Sequence, residues 1–383
     1  MGGAPMSLFV FVGEKSADLH GERLLKGLYA RNPSLKVWGV GGPKMRAVGL
    51  DVVMEMERFQ VMGFVDVFFA LPRLIKQFYT LRREILKRNP KVCLFIDYPG
   101  FNLAMEKSLR KKGFKGQICH YICPSVWAWG KKRIPKMEKI LDYLFVIFPF
   151  EKQFFNPEKL KCLFVGHPLV QRIAEEKPAP ITLPQGRILA LFPGSRAKEI
   201  DRNLSMQLKC AEKLMLEWPD LHIALSVTSS QLLPLIKKYI PPTLPVIFVE
   251  AKDTYALMRA AHMAIAKSGT VTLELALHGV PTVVTYGISP VDLFIARTIL
   301  RINLPFYCIV NIVAQKEVFP ELFGPYLTDA RLLEATRRFL LYPQVFQECK
   351  ENCRSLYNSL AGQSADCDLP AFLEGLLNER RSI

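Results

Sequence analysis

Ser7-Leu8-Phe9-Val10-Phe11-Val12-Gly13-Glu14-Lys15-Ser16-Ala17-Asp18 gives the chain its pattern: an apolar run, a glycine, then polar residues leading into a helix from about His20 to Tyr29. The run does not alternate polar with apolar, so both of its faces are covered, as in a strand inside a parallel sheet. The rhythm recurs outward from there. Lys36–Val40, Val92–Ile96, Ile118–Ile122 and Tyr143–Phe148 read as further strands of the first half. Ile188–Phe192, His222–Val227, Val246–Glu250, Met263–Ala266 and Thr282–Tyr286 read as strands of the second, each followed by a helix-like stretch. Two such series predict an α/β chain of two doubly wound domains facing a cleft. The loop-prone stretch from Gly166 to Gly186, with Lys177-Pro178-Ala179-Pro180 and Leu183-Pro184-Gln185-Gly186, marks the junction. We therefore expect domains at residues 1–166 and 167–345. Residues 346–383 are expected to be helical, either crossing back onto the first domain or serving a homodimer contact.

A length of 383 residues fits two domains, and a composition half apolar and 22% charged fits a globular chain with a large core. The formal net charge of +16 is unevenly placed. Residues 1–165 carry 28 Lys and Arg against 14 Asp and Glu, whereas residues 166–383 carry 23 against 21. An anionic partner is therefore expected at the first half; a nucleic acid and an anionic membrane both qualify on charge alone. Nine scattered cysteines without paired CxxC spacing argue against a zinc site or a disulfide framework and for a reducing, cytosolic compartment. The six histidines show no metal-ligand spacing. The start of the chain lacks the pattern of a signal peptide, and no run of ~20 apolar residues offers a membrane span.

Open parallel sheets bind ligands at the carboxyl ends of their strands, so chemistry is sought at the strand-to-helix turns. After the first strand, Gly13 permits a tight turn and the helix beyond it favours an anion; Ser16 and Asp18 suit capping of that helix equally well. Phe95-Ile96-Asp97-Tyr98-Pro99-Gly100-Phe101-Asn102 closes another strand with an aspartate. An ionised carboxylate there is costly unless hydrogen-bonded or used, so Asp97 is a general base or a turn residue. In the second half, Pro193-Gly194-Ser195-Arg196 offers backbone N–H groups and a forked guanidinium suited to phosphate, without Walker-loop spacing. Lys267-Ser268-Gly269-Thr270 is a second such turn, and Glu274 follows one helical turn on, placed to accept from ribose hydroxyls. Two anion turns in one domain favour a nucleoside diphosphate.

Two other stretches stand out. Cys123-Pro124-Ser125-Val126-Trp127-Ala128-Trp129-Gly130 precedes Lys131, Lys132 and Arg133, so its indoles either stack on a base or pack a loop onto the core. Between Met62 and Arg88, Val65, Val67, Phe68, Phe69, Leu71, Leu74, Ile75 and Phe78 surround Pro72, and Arg73, Lys76, Arg82, Arg83, Lys87 and Arg88 add charge. That composition suits an amphipathic helix in a membrane interface, or a surface helix packed on its own core.

In order and spacing these segments resemble the lipid-A-disaccharide synthases. The resemblance is carried by Gly13–Asp18, Val61-Met62-Gly63, Ile96–Asn102, Pro124–Trp129, Pro149-Phe150-Glu151, Gly166-His167-Pro168, Pro193–Arg196, Ser268-Gly269-Thr270 with Glu274, and Asn311. It departs from the family pattern at Lys15, Ala17, Val310 and Gly324. The resemblance implies a GT-B architecture of two Rossmann-like domains. It also implies transfer of 2,3-diacylglucosamine from its UDP conjugate to 2,3-diacylglucosamine 1-phosphate, with inversion and release of UDP. By the same resemblance Asp97 is the base, Glu14 and Ser16 lie near the sugar, and Arg196 with Gly194 and Ser195 holds the diphosphate. Ser268, Gly269, Thr270 and Glu274 take the uridine side, and Asn311 and Glu317 border the cleft. No cofactor, metal or nucleic acid is implied. The partners implied are the two acylated substrates and the anionic inner face of the bacterial inner membrane, met through the Met62–Arg88 stretch. The alternative is another UDP-sugar enzyme of this architecture, a 2-epimerase or a transferase to a different lipid acceptor.

Overall fold

The structure, a computed structural model, describes residues 7–59, 64–289, 304–362 and 368–379. The chain divides into two compact units, Met1–Pro168 with Gly362–Ile383, and Leu169–Ala361. Each is a parallel sheet with helices connecting its strands.

In the first unit the strands are β1 (Ser7–Val12), β2 (Lys36–Gly41), β3 (Asp51–Glu55), β4 (Val92–Ile96), β5 (Gln117–Tyr121), β6 (Tyr143–Val146) and β7 (Lys161–Phe164). Their order across the sheet is β3-β2-β1-β4-β5-β6-β7, and every pairing is parallel. The unbroken apolar run of β1 has the consequence expected of it. Leu8, Val10 and Val12 enter one buried cluster, while Phe9 and Phe11 enter the other. Each such fully buried side chain contributes roughly 1.5–3 kcal/mol.

The second unit repeats the plan with β8 (Arg187–Phe192), β9 (Leu221–Val227), β10 (Val246–Glu250), β11 (Met263–Lys267), β12 (Thr282–Tyr286) and β13 (Glu321–Phe323). The order is β10-β9-β8-β11-β12-β13, again all parallel. Both sheets therefore reverse their winding once, between β1 and β4 and between β8 and β11. At these switch points the connecting loops part and leave a crevice at the carboxyl ends of the strands. Three strands were not anticipated, β3, β7 and β13. Each lies at a sheet edge, where half-exposed side chains replace the apolar run.

The final helix, Leu369–Asn378, belongs to the first unit. Leu369, Leu373, Leu376 and Leu377 join the cluster on the β1 face that carries Val10. Lys91 Nζ donates to Leu377 O at 2.7 Å, and Arg31 pairs with Glu374 at 2.8 Å. Helix Pro343–Ala361 stays with the second unit, burying Cys349, Cys353, Leu356 and Leu360. The division expected after residue 345 thus falls after residue 361, because the apolar face of Pro343–Ala361 is spent on the second unit. No helix among the described residues is long and apolar enough to cross a membrane.

Candidate functional site

The switch point of the first unit brings together the turns after β1 and β4. Val12 and Ile96 are register partners, so Glu14 and Asp97 leave the sheet side by side. Gly13 is required by packing: a Cβ there would lie 2.5 Å from the Tyr98 ring. Asp97 and Tyr98 both have left-handed backbone, φ 52° and 49°. For residues with side chains that costs about 1–3 kcal/mol each and persists only where the surroundings enforce it. Here Asp97 N–H donates to Tyr121 O at 2.8 Å, Tyr98 Oη donates to Phe59 O at 2.9 Å, and buried Asn102 donates to the carbonyl of Asp97. Asn102 and Tyr98 thus hold the turn. Burial pushes the Asp97 carboxyl up to about 6, and the hydrogen-bonded Glu14 carboxyl adds to the shift; the Tyr98 N–H and His120 oppose it. Glu14 Oε1 also accepts from Ser16 Oγ at 2.8 Å.

Asp18 is engaged elsewhere. It is buried and accepts from the N–H groups of Gly42, Lys44 and Met45 at 2.8, 3.0 and 3.2 Å, capping the helix Pro43–Ala47 rather than its own. Neither Ser16 nor Asp18 caps helix Lys15–Arg31, whose N-cap position is Glu14. On β5, opposite Phe95, fully buried His120 pairs with Glu106 at 2.7 Å. No local pattern marks that pair, since the two residues lie on different elements.

The second unit's switch point is a cavity of about 370 Å³ whose lining includes Gly194, Ser195, Arg196, Lys267, Thr270 and Glu274. Gly194 has φ +128°, a conformation side chains rarely adopt, so the turn after β8 needs glycine. Helix Ala197–Glu217 starts directly after it, with Arg196 at the N-cap and strongly exposed. Glu274 accepts from Tyr255 Oη at 2.8 Å, and burial raises its carboxyl above the ordinary value despite that bond. Two residues unassigned from the sequence converge here, Glu199 and Lys267, joined at 3.1 Å. Their signal was present: Glu199 is three residues beyond Arg196, one helical turn, and Lys267 ends β11. Ser268 has its N–H spent on Thr285 O at 2.9 Å and is not among the lining residues. Among the described residues, no three His, Cys, Asp or Glu side chains gather as a metal site.

Residues 8–370 match the family described as Lipid-A-disaccharide synthetase. The chain belongs to that family. It is 37% identical over 363 residues to a lipid-A-disaccharide synthase of Chlamydia trachomatis, covering 92% of this chain and 60% of that protein. The chain therefore spans three-fifths of the length of that relative. A lipid-A-disaccharide synthase of Geobacter metallireducens is 34% identical over 347 residues, covering 89% of each. Among solved structures, a UDP-GlcNAc 2-epimerase of Neisseria meningitidis bound to UDP-GlcNAc superposes with TM-score 0.62 at 10% identity, covering 97% of this chain and 99% of that one. The calicheamicin glycosyltransferase CalG4 gives 0.59 at 13%, covering 97% and 98%. These likenesses show the fold: a GT-B pair of Rossmann-like units with C-terminal helices.

Other positions carried over from the lipid-A-disaccharide synthetase family behave differently. Asn311 is fully buried, donates to Phe319 O at 2.8 Å and accepts from the N–H groups of Val318 and Phe319 at 2.8 and 2.9 Å. Its amide is spent on the backbone, which corrects its assignment as a substrate contact. Glu317 is exposed and is not among the residues lining the pocket. In the tryptophan loop, Trp127 donates to Glu151 at 3.3 Å and lies edge-on to Phe150, as a packed loop would. Burial pushes the Glu151 carboxyl up to about 8 against the Phe148 and Trp127 N–H groups.

The stretch offered to a membrane is helix Phe64–Arg88, with Pro72 inside it rather than at its start. The side chains of Val65, Val67, Phe68 and Phe69 lie outside the described residues. Leu71 and Ile75 are each 48% exposed, and Tyr79 is 53% exposed. Leu74 and Phe78, by contrast, pack against the core beside Leu81 and Ile85. That corrects their placement: the 3.6-residue period puts 74, 78, 81 and 85 on one face and 71, 75 and 79 on another.

Proposed function

We propose that the chain is an inverting glycosyltransferase that joins UDP-2,3-diacylglucosamine to 2,3-diacylglucosamine 1-phosphate, giving the lipid A disaccharide 1-phosphate and UDP. The observation that carries this reading is the Asp97–Glu14 carboxyl pair at one switch point, in a chain of this family. Asp97 accepts the proton of the acceptor's 6-hydroxyl as that oxygen bonds to C1 of the donor. The bond from C1 to the diphosphate breaks on the opposite side, and its electron pair leaves with UDP. A carboxyl raised to about 6 is still ionised at neutral pH, yet holds a proton better than an ordinary aspartate. Burial, with Glu14 beside it, sets that proton affinity, and Ser16 donates to Glu14. Arg196 and the N–H groups of the Gly194-Ser195 turn receive the diphosphate, and Gly269, Thr270 and Glu274 receive the nucleoside. We read the reaction as independent of metal, with these cations meeting the charge on UDP.

A membrane role for helix Phe64–Arg88 is supported by exposed Leu71 and Ile75 on one side. It is supported too by a hollow of about 780 Å³ lined by Lys76, Arg82, Arg83, Lys87 and Lys112. Apolar side chains beside clustered cations suit the surface of an anionic bilayer, which also carries both acylated substrates.

The test is a product assay with both acylated substrates in detergent and EDTA. Disaccharide and UDP in equal amounts support the reading. A folded protein that yields no disaccharide sinks it, and activity only with added Mg²⁺ would remove the metal-free part.

A further inference from the structure

We infer that the Glu199 carboxylate is an internal stand-in for the donor's diphosphate, and that Lys267 is the fixed cation passed from one anion to the other. The inference rests on the nucleotide reading of this pocket and deepens it. Glu199 Oε2 accepts the Ser195 N–H at 2.9 Å, Oε1 meets Lys267 Nζ at 3.1 Å, and Arg196 Nη1 lies 3.7 Å away. One carboxylate thus spans the groups a phosphate would need: a backbone N–H at a helix start, an ammonium and a guanidinium. Its fit depends on Gly194, where a Cβ would come within 2.5 Å of Glu199 Cβ.

Lys267 is placed by the topology. It follows Ala266, whose register partner on β8 is Phe192, so the ammonium is fixed at the parting of the two strands. The Lys267 and Glu199 side chains are 19% and 18% exposed on the pocket wall, so the ion pair is reachable by an incoming ligand. A diphosphate cannot share the turn with an ionised carboxylate, because like charges at that separation repel. When the diphosphate enters, the Ser195 N–H and the Lys267 ammonium exchange one anion for another and remain paired, while Glu199 turns to water. Without a ligand, the carboxylate keeps both donors satisfied.

The experiment is calorimetric titration of the full chain with UDP, uridine and inorganic pyrophosphate, for the unaltered chain, Glu199→Gln, Lys267→Met and Lys267→Arg. Glu199→Gln should tighten UDP and pyrophosphate about tenfold and leave uridine unchanged; Lys267→Met should weaken the two anions by about 10- to 100-fold, with Lys267→Arg recovering much of the loss. Glu199→Gln should also melt slightly lower, having lost an acidic group in the first turn of a helix. Tighter binding with lower stability is a pattern that a purely structural Glu199 would not give. UDP affinity unchanged or weakened in folded Glu199→Gln overturns the stand-in, and unchanged affinity in Lys267→Met overturns the cation; in either case normal UDP binding leaves the nucleotide reading intact. Pyrophosphate binding without UDP binding, with the same variant pattern, sinks the nucleotide reading and keeps the device. An unaltered chain that binds neither anion overturns both.

Discussion

The two units wind their sheets in the same order and reverse at the same place, yet the two switch points present opposite chemistry. Between β1 and β4 stand two carboxyls, Glu14 and Asp97, the second raised to about 6 by burial first and by its neighbour next. Between β8 and β11 stand Arg196, Lys267 and the Ser195 N–H, with Glu199 among them. The scaffold therefore fixes where chemistry happens and leaves its kind to a few residues just past each strand. A carboxylate at the first crevice can move a proton; cations and N–H groups at the second can hold phosphate. The proposed reaction rests on this division of labour.

The largest break in that comparison should come from Asp97→Asn. Removing a general base lowers turnover by about 10²–10⁴-fold, read as kcat in the disaccharide assay, and near-normal kcat would remove Asp97 from the role. Next in size is Arg196→Ala, which should weaken UDP binding about tenfold by loss of a charge-assisted donor. Equilibrium titration with unchanged affinity would show the diphosphate to lie elsewhere.

The pH profile sharpens the first crevice. The base works deprotonated, so kcat/KM should fall about tenfold per pH unit below about 6 and stay level above it. Glu14→Gln removes a neighbouring charge that pushes Asp97 up, so the acid limb should move to lower pH. A limb that stays put would mean that burial alone sets the shift. The smallest effect concerns the exposed side of helix Phe64–Arg88. Leu71→Ser with Ile75→Ser should release the protein from anionic vesicles with its Tm nearly unchanged. Leu74→Ala should leave vesicle binding alone and cost ~1–3 kcal/mol of stability, because that side chain packs on the core. The opposite pattern would reverse the assignment of the two faces.

What the sequence made legible follows from physical circumstance. Strands inside a parallel sheet are apolar on both faces, so β1, β4 and β8 announce themselves. Edge strands such as β3 and β13 are half exposed and look like any mixed stretch. The four turns at the switch points were readable because a glycine or a charged residue directly after an apolar run is conspicuous. What a side chain does once folded was not readable. Asp18 and Asn311 sit in recognisable motifs, yet their polar atoms are consumed by backbone N–H groups brought in from residues 42–45 and 318–319. Lys267 and Glu199 meet across 68 residues of sequence, a distance no local pattern spans.

The most direct test is UDP affinity in Asp97→Asn, measured on the same preparation that has lost turnover. A division between the two switch points predicts the affinity of the unaltered chain. A loss as large as that of Arg196→Ala would show that Asp97 takes part in holding the nucleotide, and the division would fail.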